Sequence, residues 1–308
     1  MLFTKMHGCG NDYVYVDGAR ENIPQDKKSE LARKVSDRHF GIGSDGLIFI
    51  NPVSDPSIDF EMEMYNADGS RSEMCGNGIR CVAKYVYDNR LTDKKNLVIV
   101  SAGKKKYIDL TIGDDNLVSS VKVDMGAPIL KPELVPVSPD KLQANSKETT
   151  GSQYSSANSS FPDAVINAPV TIDGKDWNIT CVSMGNPHAV VFLPEDVDLD
   201  SFDIEAIGPK FENNEIFPNR TNTEFVKVDN RGSVHMRVWE RGTGETLACG
   251  TGCCATTVAC ILNGLTDERV DVHVLGGIVT CSWNGDLESS VIMEGPATTV
   301  FAGEIAID

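Results

Sequence analysis

Two cysteines stand in nearly the same company. Met74-Cys75-Gly76-Asn77-Gly78 and Ala248-Cys249-Gly250-Thr251-Gly252 each set a thiol just before a Gly-x-Gly turn that leads into an apolar run. Where a loop becomes a helix, the first amides have no intrahelical partner and the helix dipole adds partial positive charge. Glycine lets a carboxylate approach those amides closely. A thiol in the same turn ionises more readily than its ordinary pKa of about 8.5 would allow. Two such thiols on either side of one carbon, too close for both to ionise, hold one thiolate and one thiol. That pair can take a proton from one face of the carbon and return another on the opposite face. The helix amides would stabilise negative charge spreading into an adjacent carboxylate.

The elements that must position these thiols are themselves duplicated. An offset of 174 residues lays Cys75 on Cys249, Met62 on Met236, Tyr65 on Trp239 and Asn89 on Asn263 without a gap. In the same register Leu91-Thr92-Asp93 falls on Leu265-Thr266-Asp267, Val98 on Val272 and Gly103 on Gly277. A repeat of this length means two related units, each presenting one cysteine at an equivalent place. Upstream, Gly10-Asn11 precedes the strand pattern Tyr13–Val16 much as Asn186 precedes Ala189–Phe192, one residue out of the main register. The expected architecture is α+β: two pseudo-symmetric domains, each of strands wrapped around a central buried helix. The first half would span 1–126, and 127–296 the second. A Pro-rich connection lies between Ala127 and Asp140, followed by a polar insertion near 140–163.

Periodicity sharpens individual elements. Ser29–Arg38 reads as a helix with Ser29 as its N-cap, and Leu47–Ile50 and Phe60–Tyr65 read as strands. Ile79, Val82, Ala83 and Val86 have helical spacing after Cys75. The run after Cys249 is apolar or small on nearly every side, which marks a helix buried all round. Gly41-Ile42-Gly43-Ser44-Asp45-Gly46 matches G-x-G-x-x-G, but it follows a helix and precedes a strand, the reverse of a dinucleotide fold. It reads as a turn.

Composition bounds the partners. The 308 residues suit two domains, and the net charge of −17 argues against nucleic acid or an anionic membrane. Nine cysteines without regular spacing, and no leading apolar segment, point to the cytoplasm with thiols reduced. No Cys-x2-Cys pair suggests zinc. Cys181, Cys254, Cys260 and Cys281 read as small buried hydrophobes, and Cys9 and Cys253 as structural. From spacing alone His188 and Glu240 read as satisfied structural residues. A thiol redox pair or a metal-binding protein stays open as the non-enzyme alternative.

These segments together resemble the diaminopimelate epimerase family, cofactor-independent two-cysteine isomerases of lysine and peptidoglycan precursor biosynthesis. His7-Gly8-Cys9-Gly10-Asn11-Asp12, Tyr65-Asn66-Ala67-Asp68-Gly69 and the Cys75 motif carry the resemblance in the first half. Met184-Gly185-Asn186-Pro187-His188, Arg220-Thr221-Asn222, Glu240-Arg241-Gly242-Thr243-Gly244 and the Cys249 motif carry it in the second. The resemblance implies that Cys75 and Cys249 are the acid–base pair and that His188 and Glu240 tune them. It implies that Asn11, Asn66, Asn186, Asn222, Glu240 and Arg241 hold the substrate's amino and carboxylate groups. Gly76, Asn77, Gly250 and Thr251 would supply amides. It further implies that 297–308 return to the first half, that diaminopimelate is the partner, and that neither cofactor nor metal takes part. Related racemases act on proline or hydroxyproline, but their pattern fits the asparagine set less well. Some family members carry Gln where this chain has Gly46, at a contact to the distal end of the substrate. Whether two chains associate as a homodimer stays open.

Overall fold

The structure, a computed structural model, describes residues 1–72, 75–145, 161 and 163–307. Met74 of the first motif and most of the 140–163 insertion lie outside the described residues. The chain divides into two compact units, Met1–Asp124 with Glu294–Asp308, and Met125–Met293.

The first unit opens with β1 (Leu2–Gly8) and β2 (Asn11–Asp17), followed by α1 (Lys28–Ser36). Next come β3 (Gly46–Pro52), β4 (Phe60–Asn66), β5 (Arg71–Ser72) and α2 (Gly76–Asp88). It continues through β6 (Asn96–Ser101), β7 (Lys104–Ile112) and β8 (Val118–Asp124). Neighbouring strands are antiparallel except β2–β3 and β4–β6, which are parallel. The helix α2 packs on β1, β2, β6, β7 and β8. Ten of its residues, from Gly76 to Val86, are buried.

The second unit contains α3 (Pro139–Asn145), β9 (Ala168–Ile172), β10 (Lys175–Ser183), β11 (Pro187–Phe192) and α4 (Ile204–Glu212). It then runs β12 (Asn222–Asn230), β13 (Ser233–Glu240), β14 (Gly244–Thr246) and α5 (Gly250–Leu262). After β15 (Arg269–Val274) and β16 (Gly277–Ser282), β17 (Ile292–Gly295) carries the boundary between units. The last strand, β18 (Thr298–Glu304), pairs with β1 in the first unit. Here the parallel pairs are β11–β12 and β13–β15, the counterparts of β2–β3 and β4–β6. The helix α5 packs on β10, β11, β12, β15 and β16. Mixed α/β architecture dominated by strands, with a central helix in each of two similar units, is the expected fold class.

Local chemistry explains the element ends. Both central helices begin at a cysteine in extended backbone and end at the paired Asn89 and Asn263. Gly264 then takes a positive φ of 69°, the usual helix-ending conformation, whereas Arg90 takes φ 60° at the equivalent position. Two expectations need correction. Lys27, not Ser29, precedes α1, because the turn Gln25–Lys27 already leads into the helix; Ser29 instead donates to the Gly69 carbonyl at 2.7 Å. Asn11 does not precede its strand but is the first residue of β2, paired with Gly8.

Candidate active site

In the first unit, Cys75 is the N-cap of α2. Its sulfur accepts from the Gly78 amide at 3.2 Å, and its thiol donates to Asn11 Oδ1 at 3.2 Å. Asn11 opens β2, so the strand places its side chain against the helix start. Its amide donates to Asp45 at 2.8 Å, and Asp45 also accepts from Arg38 at 2.9 Å. Burial raises the Asp45 carboxyl above its ordinary value, with the Asp12 charge adding, against bonds from the Asp12 amide and Asn11. Asn77 is buried and held by Arg80, a fully buried arginine whose guanidinium donates to Asn77 Oδ1 at 2.9 Å. Asn66 closes β4 beside this group, but its side chain donates to Ser70 at 3.0 Å. Gly46 has no room for a side chain: an added Cβ would stand 2.1 Å from the Tyr65 carbonyl oxygen on the neighbouring strand. Glycine here is therefore required by the β3–β4 contact, and no residue 46 side chain serves distal recognition in this chain.

In the second unit, Cys249 is the N-cap of α5, with no side-chain cap bond among the described residues. It is more deeply buried than Cys75. The sulfur lies 3.5 Å from Thr251 Oγ1, Thr251 accepts from Asn186 Nδ2 at 3.2 Å, and Asn186 Oδ1 lies 3.1 Å from His188 Nε2. His188 is fully buried, and its other ring nitrogen meets Glu224 Oε1 at 2.7 Å. Glu240 ends β13 and accepts from Thr246 at 2.5 Å. Burial lifts the Glu240 carboxyl, against the Thr246 hydroxyl and the nearby Cys249 thiol. Burial also pushes the Cys249 thiol well up, with the charges of Glu240 and Glu224 adding, while the Thr251 hydroxyl and the Gly252 amide pull the other way. Asn222, buried, accepts from the Arg241 amide at 2.8 Å, and the Arg241 side chain reaches the Asn219 carbonyl at 3.0 Å.

Each unit therefore gathers its own set. Asn11, Asn77 and Cys75 form one bonded group; Cys249, Thr251, Asn186 and His188 form another, with Glu240 nearby. Gly76 and Gly250 begin their helices as expected. Asn66 and Arg241 are bonded to neighbours of their own. Sequence reasoning missed Asp45, which sits inside the stretch read only as a turn, and Glu224. The signal for Glu224 was an acid two residues beyond Asn222, on the same strand face, within an otherwise apolar or hydroxyl run. Among the described residues, no group of three or more His, Cys, Asp or Glu is placed to hold a metal ion, and no helix is long and apolar enough to cross a membrane.

Comparison with known proteins bears on this arrangement. The sequence profile described as diaminopimelate epimerase matches residues 3–131 and 180–300, leaving out the stretch that holds the insertion. The chain is 53% identical over 307 residues to a diaminopimelate epimerase of Agathobacter rectalis, covering 100% of both chains. It is 48% identical over 308 residues to the one from Acetivibrio thermocellus, covering 100% of this chain and 99% of the other. Among solved structures, a Bacillus anthracis phenazine biosynthesis protein of the PhzF family shares the fold at a TM-score of 0.65 and 18% identity, covering 99% of this chain and 98% of that one. A hydroxyproline epimerase from Agrobacterium vitis shares it at 0.61 and 12%, covering 98% and 91%. Those two likenesses speak for the fold; the full-length identities decide the family. The chain belongs to the diaminopimelate epimerase family.

Proposed function

We propose that the chain inverts one α-carbon of 2,6-diaminopimelate, interconverting the LL and meso forms, with Cys75 and Cys249 as the two proton-transfer groups and no cofactor. One thiolate takes the α-hydrogen as a proton, and the electron pair left on carbon spreads into the α-carboxylate. The other thiol delivers its proton to the opposite face. The sulfurs have then exchanged roles, and exchange with solvent resets them. The first-turn amides at Gly76–Asn77 and Gly250–Thr251 suit the carboxylate on which charge develops. Asn11, Asn66, Asn186, Asn222, Glu240 and Arg241 supply donors and acceptors for the amino and carboxylate groups that diaminopimelate carries at both ends. His188 and Glu240 bias where the proton rests.

The observation that carries this reading is the duplication of chemistry with the fold. Two units with the same strand pairing each put a cysteine at the N-cap of the central helix, and each sulfur is linked to an asparagine at or just before the start of a buried strand, Cys75 directly to Asn11 and Cys249 through Thr251 to Asn186. On this reading 1–126 with 297–308, and 127–296, are the two halves of the epimerase. Each chain carries both thiols, so turnover needs no second copy, and a homodimer would only duplicate it. Nine cysteines without regular spacing suit a reducing cytoplasm. The product serves lysine and peptidoglycan precursor synthesis.

The test is an assay of the purified protein in metal-free buffer without pyridoxal phosphate, on LL-diaminopimelate, meso-diaminopimelate and L-proline. Interconversion of the first two with proline untouched is expected. Turnover of proline in preference to diaminopimelate would overturn the substrate assignment.

A further inference from the structure

The duplicated sheets differ at one buried point beside the sulfur. In the first unit Tyr13 pairs with Gly46 and Tyr15 with Ile48; in the second His188 pairs with Asn222 and Val190 with Glu224. Asn11 and Asn186 stand two residues before Tyr13 and His188, so Ile48 and Glu224 occupy equivalent positions. Each lies against the second glycine of its cysteine motif. A Cβ added to Gly78 would meet Ile48 Cδ1 at 2.9 Å and Cys75 Sγ at 3.4 Å. One added to Gly252 would meet Glu224 Oε1 at 2.7 Å and Cys249 Sγ at 3.3 Å. One sulfur shares its glycine with a methyl group, the other with a carboxylate oxygen.

Glu224 has no other evident duty in the fold. It is fully buried, its Oε1 faces His188 Nδ1 at 2.7 Å, and its Oε2 has no hydrogen-bond partner among the described residues. From His188 the contacts run on through Asn186 and Thr251 to the sulfur of Cys249. A buried carboxylate held in this way disfavours a second negative charge beside it.

We propose that Glu224 is a positioning residue that makes Cys249 the proton-holding member of the thiol pair, acting by its charge beside the sulfur and by fixing the His188–Asn186–Thr251 chain. Ile48 leaves Cys75 without that bias. This rests on the two-thiol reading and adds an asymmetry that the duplication alone would not give. The other ionisable groups around Cys249 and Glu224 are Glu240 on β13, His188 on β11, Cys181 on β10 and Cys254 on α5. Burial and Glu240 push the Cys249 thiol in the same direction as Glu224 does.

Two measurements test it. In the unaltered protein, iodoacetamide labelling followed by peptide mass spectrometry across pH is expected to modify Cys75 at lower pH than Cys249. Coincident or reversed midpoints would overturn the proposal, whatever a variant does. Glu224→Gln keeps the side-chain shape and removes the charge, so the thiolate of Cys249 becomes easier to form. The alkaline limb of the kcat/KM profile should then move to lower pH by about one unit, with KM changed less than about twofold because Glu224 touches no substrate. Glu224→Ile, the residue of the other half, should shift the limb in the same direction. An unmoved limb in Glu224→Gln, with Cys249→Ala inactive, removes the role of Glu224 alone. A Cys249→Ala enzyme that still turns over removes the two-thiol reading and this proposal with it.

Discussion

A thiol and a carboxyl buried together contest one charge, and the residues around Cys249 are arranged around that contest. Glu240 is lifted by burial, against the hydrogen bond from Thr246 and the nearby Cys249 thiol. Thr246 holds it in place beside the sulfur. Glu240→Gln keeps the size and an acceptor for Thr246 while removing the charge. Its kcat is expected to fall about a hundredfold to ten-thousandfold, with a thermal midpoint close to the parent's. A kcat near the parent's would mean that Glu240 only packs. The Cys75 surroundings differ in kind: Asn11 links the thiol to Asp45 and Arg38, and Asn77 is steadied by buried Arg80.

At the scale of elements, the central helices were legible because their apolar spacing and their cysteine–glycine starts were both written in the chain. The strands Leu47–Ile50 and Phe60–Tyr65 grew by a residue or more at their ends, since strand pairing extends past the apolar core. The helix α4 went unread: Gly208 and Pro209 lie inside it, and both lower helix propensity. Gly208 is needed there, because an added Cβ would stand 2.3 Å from the Trp239 ring. The asparagines and cysteines were legible as motifs, but their partners were not. Asp45 reaches its site from the bend just before β3, which no local pattern reveals, and Glu224 reaches its site through the register of β12, signalled only by an acid in an apolar or hydroxyl run. Arg90 offers a test of the duplicated helix ends. It holds the left-handed conformation that Gly264 holds in the other half, and a non-glycine residue there costs about 1 kcal/mol. Arg90→Gly is expected to stabilise the fold by about 0.5 kcal/mol or more in urea unfolding, net of the added chain entropy. A loss of stability would show that the Arg90 side chain outweighs its backbone strain.

The molecule as a whole carries its acid sensitivity in identifiable places. Glu63, on β4, accepts from Lys28 at 2.5 Å, Gln25 at 2.7 Å, Tyr65 at 2.8 Å and Asn51 at 3.1 Å. Burial alone would raise its carboxyl, but these bonds outweigh it and bring it down to about 2 from an ordinary 4.5. A folded-state value below the unfolded one stabilises the fold above pH 4.5, and that stability is lost as pH falls towards about 2. Screened by the solvent that reaches it, the contribution is on the order of 1–2 kcal/mol. Urea unfolding across this window should lose that much in the parent and much less in Glu63→Gln; parallel curves would contradict it. Catalysis has a sharper probe. On the two-thiol reading, the hydrogen removed from LL-diaminopimelate stays on one sulfur while the new one comes from the other, which has exchanged with solvent. Early turnover in deuterium oxide is the measurement that decides: meso product should carry one deuterium at the inverted carbon, recovered LL substrate should carry none, and Cys75→Ala and Cys249→Ala should each yield no product. Meso product that keeps the original hydrogen, or either variant working near the parent rate, would contradict a two-thiol exchange.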